Sequence, residues 1–148
     1  MLSSRSARLH PLLAPLKVSG SRTPIFMVHP PGGIVVCYRE LARQLAADQP
    51  LLALRSRGLH GAEPLPPTLA AMAADYVEAV RAYQPQGPYT LGGWSLGGLV
   101  AYEMAQQLLH AGQELSHLIL LDTTIPAELR SWFQRANWSM WGSNMVLN

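Results

Sequence analysis

The stretch "LGGWSLGG", Leu91–Gly98, sets Ser95 between two pairs of glycines at the point where an apolar strand gives way to a helix. Tyr89–Gly93 reads as the strand. Leu96, Val100, Met104 and Leu108 then repeat every four residues, which predicts a helix over 96–111, and Gly112 is placed to stop it. Gly93-Trp94-Ser95-Leu96-Gly97 fits G-x-S-x-G. That pattern describes a sharp strand-to-helix turn with a serine at its apex in a strained backbone conformation. Side chains two residues before and after the serine would collide with the turn, so Gly93 and Gly97 are the motif glycines. Gly98 lets the helix come close. A chain with this stretch must supply a strand, a tight elbow and a helix packed back along the strand.

The rest of the chain repeats that theme. "PIFMV" at Pro24–Val28, "PLLAL" at Pro50–Leu54 and "HLILL" at His117–Leu121 are short apolar runs, as expected of strands buried on both faces. Between them lie helical patterns. Tyr38, Leu41 and Leu45 predict a helix over 35–47. Thr68 is a good N-cap for a helix with Leu69, Met72, Tyr76, Val80 and Tyr83 on its apolar face. Strands alternating with helices predict a mostly parallel sheet covered by helices on both faces. The predicted division is an N-terminal linker or edge strand over 1–23, an α/β core over 24–125, and a distinct tryptophan-rich region over 126–148.

Composition narrows the classes. With 49% hydrophobic and 14% charged residues, the 148-residue chain can bury a core and is not a disordered one. The net charge of +2 is small and mostly interspersed, which argues against a nucleic-acid partner. The first 39 residues lack Asp and Glu, but their apolar run is broken by Pro11, Pro15 and Lys17 and makes a poor signal-peptide core. No apolar stretch is long enough to span a bilayer. Cys37 stands alone, so neither a disulfide nor a cysteine metal cluster is expected, and a cytoplasmic location fits.

Three features converge on acyl chemistry. Ser95 is the candidate nucleophile. The N–H of Leu96, at the start of its helix, can stabilise a developing oxyanion. "HPPGG" at His29–Gly33 follows an earlier strand, at the sheet edge where α/β crevices lie, and can turn a second N–H toward the same oxygen. Asp122 ends the strand after the serine's helix, in the Ser-then-Asp order of α/β-hydrolases. Each feature has a plainer reading: a phosphate-binding glycine loop, a tight turn, a capping aspartate. The first lacks both a G-x-G-x-x-G order and a Walker lysine.

Together, "PLKVSGSRTPIFMVHPPGG", "ADYVEAVRAYQPQGPYTLGGWSLGGLVAYEMAQQL" and "HLILLDTTIP" resemble the thioesterases that end nonribosomal peptide, polyketide and fatty-acid assembly lines. The resemblance covers about Leu12 to Pro126 and is closest to the chain-terminating domains of nonribosomal synthetases. It implies an α/β-hydrolase-like fold. It implies that Ser95 accepts the acyl chain, that Asp122 orients a catalytic histidine, and that Leu96 and Gly32 supply oxyanion N–H groups, with Gly33 the other candidate. It implies no bound cofactor. The substrate is an acyl or peptidyl thioester on the phosphopantetheine of a carrier protein, which is the expected partner. The tryptophan-rich region falls where the family inserts a lid.

The resemblance also exposes a gap. In the family the histidine comes roughly a hundred residues after the aspartate, and this chain ends at Asn148. Of the histidines present, His110 lies about 20 Å down the helix that begins beside Ser95. His117 lies about 16 Å away at the other end of its strand. His10 has no claim, His29 shapes the oxyanion loop, and His60 sits in a glycine-rich loop at the correct edge. The expectation is a thioesterase domain truncated before its base and lacking the last strands. It would have negligible turnover alone, with the Asp122 strand left as an open sheet edge. A general serine esterase or lipase and a non-catalytic module that binds carriers or acyl chains are the competing functions.

Overall fold

The computed structural model describes residues 9–59, 61, 63–129 and 145–147. In chain order these give β1 (Leu13–Lys17), β2 (Ile25–Val28), α1 (Arg39–Gln44), β3 (Leu51–Leu54), α2 (Leu69–Tyr83), β4 (Tyr89–Trp94), α3 (Leu96–His110), β5 (Leu115–Leu121) and β6 (Met145–Leu147). The strands form one sheet in the order β1-β3-β2-β4-β5-β6. β1 runs antiparallel to β3 along one edge, and every other pairing is parallel.

Two-residue alternation along the strands divides the core. Phe26, Val28, Leu52, Leu54 and Leu91 face α2 and α3, whose buried Tyr76, Val80, Met104 and Leu108 complete the larger cluster. Met27, Leu51 and Ala53 face the other way, against Tyr38 and Ala42 around α1. The chain steps one way along the sheet through α1 and the other way through α2 and α3. Helices on opposite faces are what a single crossover handedness requires.

Local chemistry explains most boundaries. The Thr68 side chain accepts a hydrogen bond from the Ala71 N–H at 3.0 Å, capping α2, an interaction typically worth about 1 kcal/mol. α1 is shorter than the apolar spacing predicts. A 3-10 turn at Val36–Tyr38 precedes it, and Leu45 is already extended. The Lys17 ammonium donates to the carbonyls of Leu45 at 2.8 Å and Ala46 at 2.7 Å. It also reaches Ala42 O at 3.4 Å, so a cation from β1 sits on one carbonyl of the last turn and on the two that follow it.

The expected open edge at β5 is corrected. β6 pairs with it through Leu118–Met145, Ile119–Val146 and Leu120–Leu147, so β5 is an interior strand over that span. Three residues are too short a run to be read from sequence as a strand. Of the region from 126 to 148, where the lid was expected, residues 130–144 and 148 lie outside the described residues.

Candidate active site

At the carboxyl edge of the sheet, β4 turns into α3 at Ser95, which has φ 55° and ψ −118°. Few non-glycine residues adopt such a backbone, and it persists only where the surroundings impose it. Here they do. A Cβ at Gly93 would overlap the Gly97 carbonyl group, and one at Gly97 would overlap the Val28 carbonyl and lie 2.6 Å from that of His29. A Cβ at Gly98 would overlap the Thr123 hydroxyl. The glycines around Ser95 are therefore places where backbone meets backbone or a neighbouring loop.

Ser95 is tied to the end of β5, beside Asp122. Its N–H donates to Leu121 O at 2.9 Å, and its carbonyl accepts from the Thr123 hydroxyl at 3.0 Å. Asp122 lies between those two anchor residues. It also has a positive φ, 46°, and is exposed. Among the described residues its carboxylate has no hydrogen-bond partner. The Ser95 hydroxyl makes no capping bond to α3, which leaves it available to a reactant. The Leu96 N–H is one of the orphan donors of the helix start.

The His29–Gly33 loop follows β2. Gly32 has φ 95° with open space where a Cβ would be, and Gly33 has φ 79°. The two differ in their amides. The Gly33 N–H donates to Pro30 O at 3.2 Å and its carbonyl accepts from Ser56 N–H at 3.0 Å. The Gly32 N–H has no acceptor among the described residues. Of the two candidates, only Gly32 keeps its donor unspent.

His29 is buried and fully engaged. Its Nδ1 faces Pro30 O at 2.8 Å and its Nε2 faces the Tyr76 hydroxyl at 2.7 Å. A carbonyl can only accept, so Nδ1 donates and Nε2 accepts from Tyr76, which assigns the neutral tautomer. Burial holds the imidazole below its ordinary value of 6.5, against the upward pull of the Pro30 hydrogen bond. Burial, with Asp75 alongside, pushes the Tyr76 phenol up and keeps it a donor.

This pair makes a pH prediction. As pH falls below 6.5 the unfolded chain binds a proton at residue 29 that the folded chain refuses, so stability drops. The expected loss from this group is up to about 1.4 kcal/mol per pH unit between 6.5 and its lowered folded value. Urea midpoints at pH 7.5 and pH 5.5 should therefore separate more in the native chain than in His29→Phe. Equal separations would contradict a buried neutral imidazole.

The other described histidines are elsewhere. His10 Nδ1 accepts from the Leu12 N–H at 3.3 Å, ahead of β1. His110 ends α3, with its ring on Gln106 O at 2.9 Å. His117 pairs with Ser116 at the start of β5. His110 and His117 lie at the opposite end of the sheet from Ser95. His10, ahead of the antiparallel β1, lies at the Ser95 edge but on the outermost strand, with β3 and β2 between β1 and β4, and His60 lies outside the described residues.

Two site-supporting side chains were read from sequence only as apolar helix positions. Tyr76 was placed on the core face of α2, where it does sit, but its hydroxyl holds His29. Tyr38 is buried, and its hydroxyl lies between Val28 O at 2.5 Å and the Trp94 N–H at 2.9 Å. The only sequence signal is that each is a tyrosine where a leucine would serve the core.

Comparison with known proteins agrees on one family. A thioesterase-domain family profile matches residues 23–140. The dimodular nonribosomal peptide synthase of Bacillus subtilis (strain 168) is 48% identical over 122 residues, which is 82% of this chain and 5% of the synthase. Among solved structures, the NocB thioesterase domain from the nocardicin cluster superposes with a TM-score of 0.71 at 40% identity, covering 76% of this chain and 50% of that one. The covalent complex of the NocB domain with a fluorophosphonate nocardicin G analog gives 0.71 at 34%, covering 87% and 60%. The chain thus spans a small part of its curated relative and about half to three-fifths of the solved domain. The sheet with its helices is α/β-hydrolase-like, and this chain belongs to the thioesterase domain family, alongside the thioesterase domains of nonribosomal peptide synthetases.

Proposed function

We propose that this chain carries the acyl-accepting part of a thioesterase that releases an acyl or peptidyl chain from the phosphopantetheine thioester of a carrier protein. The observation that carries the reading is the Ser95 elbow: a strained serine at the mouth of the sheet, with the Leu96 N–H beside it. Ser95 Oγ attacks the thioester carbonyl, and the carbonyl oxygen gains charge. The N–H groups of Leu96 and Gly32 receive that charge. Collapse expels the thiolate of the carrier arm and leaves an acyl-serine, which water or an internal nucleophile then opens. Asp122 orients the imidazolium of a histidine that removes the serine proton. The reaction needs no bound metal or cofactor and takes place in the cytoplasm.

Among the described residues the four histidines do not supply that base, and without one acylation of Ser95 is slow and turnover negligible. Losing one triad member leaves about 10³–10⁴-fold catalysis over water. Division into a core over 24–125 with a lid beginning at 126 completes the reading.

The test is intact-mass analysis after long incubation with a fluorophosphonate probe, the reagent class found on the NocB domain. One adduct per chain is expected, mapped to Ser95 and absent from Ser95→Ala, with no multiple-turnover release of a carrier-bound acyl thioester. An adduct that persists in Ser95→Ala would overturn the assignment. Rapid turnover would show that a base is present, and His60→Ala would then identify or exclude His60.

A further inference from the structure

Tyr38 stands where a rung of the sheet should be. Val28 and Gly93 are register partners in the parallel pair β2–β4. In such a ladder the next amide, that of Trp94, would reach directly for the Val28 carbonyl. Instead the Tyr38 hydroxyl is inserted between them, accepting from the Trp94 N–H at 2.9 Å and donating to Val28 O at 2.5 Å. On its other side β4 stays in register with β5 as far as Ser95, whose N–H reaches Leu121 O at 2.9 Å. The separation is therefore confined to the β2–β4 side. It opens where Gly97 packs on the carbonyls of Val28 and His29.

The two strands held apart carry the two halves of the proposed oxyanion site. β2 runs into the loop of Gly32. β4 runs into Ser95 and Leu96. We infer that Tyr38 is a positioning residue: its hydroxyl, spliced into the β2–β4 ladder, sets the distance between the Gly32 and Leu96 N–H groups. The inference rests on the oxyanion role proposed above for those two amides. Phenylalanine would keep the ring and its packing but leave the Trp94 N–H and the Val28 carbonyl to meet directly or stay unpaired. Either outcome moves one donor relative to the other, and misplacement of about 1 Å in such a site can cost on the order of a hundredfold in rate.

The experiment uses the full chain with Ser95→Cys, because a thiolate needs no histidine to attack. Two reactions of that thiol are compared by peptide-resolved mass spectrometry, with exposed Cys37 as internal reference. Acylation by p-nitrophenyl acetate develops an oxyanion. Alkylation by iodoacetamide does not. Adding Tyr38→Phe should lower the acylation-to-alkylation ratio at least about tenfold while alkylation stays within about twofold. Tyr89→Phe is the matched control. It removes another buried tyrosine's hydroxyl bond, to Gln84 O, at the opposite end of β4, and should leave the ratio unchanged.

An unchanged ratio in Tyr38→Phe, or an equal fall in Tyr89→Phe, would overturn the inference. A parent thiol whose ratio is no higher than that of Cys37 would remove the oxyanion reading itself, and the inference with it. If Tyr38→Phe does not fold, amide exchange in the parent decides. The Trp94 N–H should then exchange as slowly as the amides inside β4, and exchange at loop rates would overturn the spliced rung.

Discussion

Gly93→Ala is expected to destabilise the chain by at least about 3 kcal/mol and to abolish soluble, folded protein at elevated temperature. The added methyl would overlap the Gly97 carbonyl group. Both partners are main chain, so no side chain can swing aside. Relief requires α3 to withdraw from β4, and α3 carries Val100, Met104 and Leu108 in the core. Gly32→Ala is the contrast. Space is open there, and only the positive φ opposes a side chain, a cost of roughly 1–2 kcal/mol. Urea unfolding of the two variants should separate them clearly. Equal midpoints would mean that the elbow is looser than its geometry implies.

Tyr76→Ala carries the second large effect, a loss of about 3–5 kcal/mol. The ring is buried among the α2 and α3 side chains and packs edge-on against His29, with ring centroids 5.8 Å apart. Truncation leaves a cavity and also strips the donor from His29 Nε2. Tyr76→Phe isolates the second part, because it removes only the hydroxyl. A buried nitrogen left without its partner costs about 1–3 kcal/mol. The ordering native, then Phe, then Ala should appear in denaturant midpoints. If Phe were as stable as the native chain, the His29–Tyr76 bond would contribute nothing and His29 would be held by Pro30 alone.

The sequence made some levels of this molecule legible and hid others for physical reasons. Alternation of apolar runs with helical spacing gave the element order, since both periods come from backbone geometry alone. Thr68 was readable as a cap because capping is local. Gly93 was readable because the turn itself excludes a side chain there, whereas Gly97 and Gly98 are kept bare by β2 carbonyls and by Thr123, neighbours that the turn pattern does not name. The early end of α1 was not readable, because the cation that seats itself on its last turn and on the carbonyls just after it comes from β1, more than twenty residues away. β6 was hidden by its brevity. The second tasks of Tyr38 and Tyr76 were hidden for a related reason: hydrophobic spacing reports the ring, while a hydroxyl's partner is set by tertiary contact. Which of the Gly32 and Gly33 amides is already spent is set by the folded geometry of the loop, and no sequence pattern states that.

The two bonds between Ser95 and the end of β5 have a consequence for how such a site can vary. The proposed nucleophile and acid share one short frame: Ser95 N–H to Leu121 O, Asp122 next, and the Thr123 hydroxyl back to Ser95 O. Neither bond uses the side chain at position 122, so a substitution there can change the chemistry without dismantling the frame.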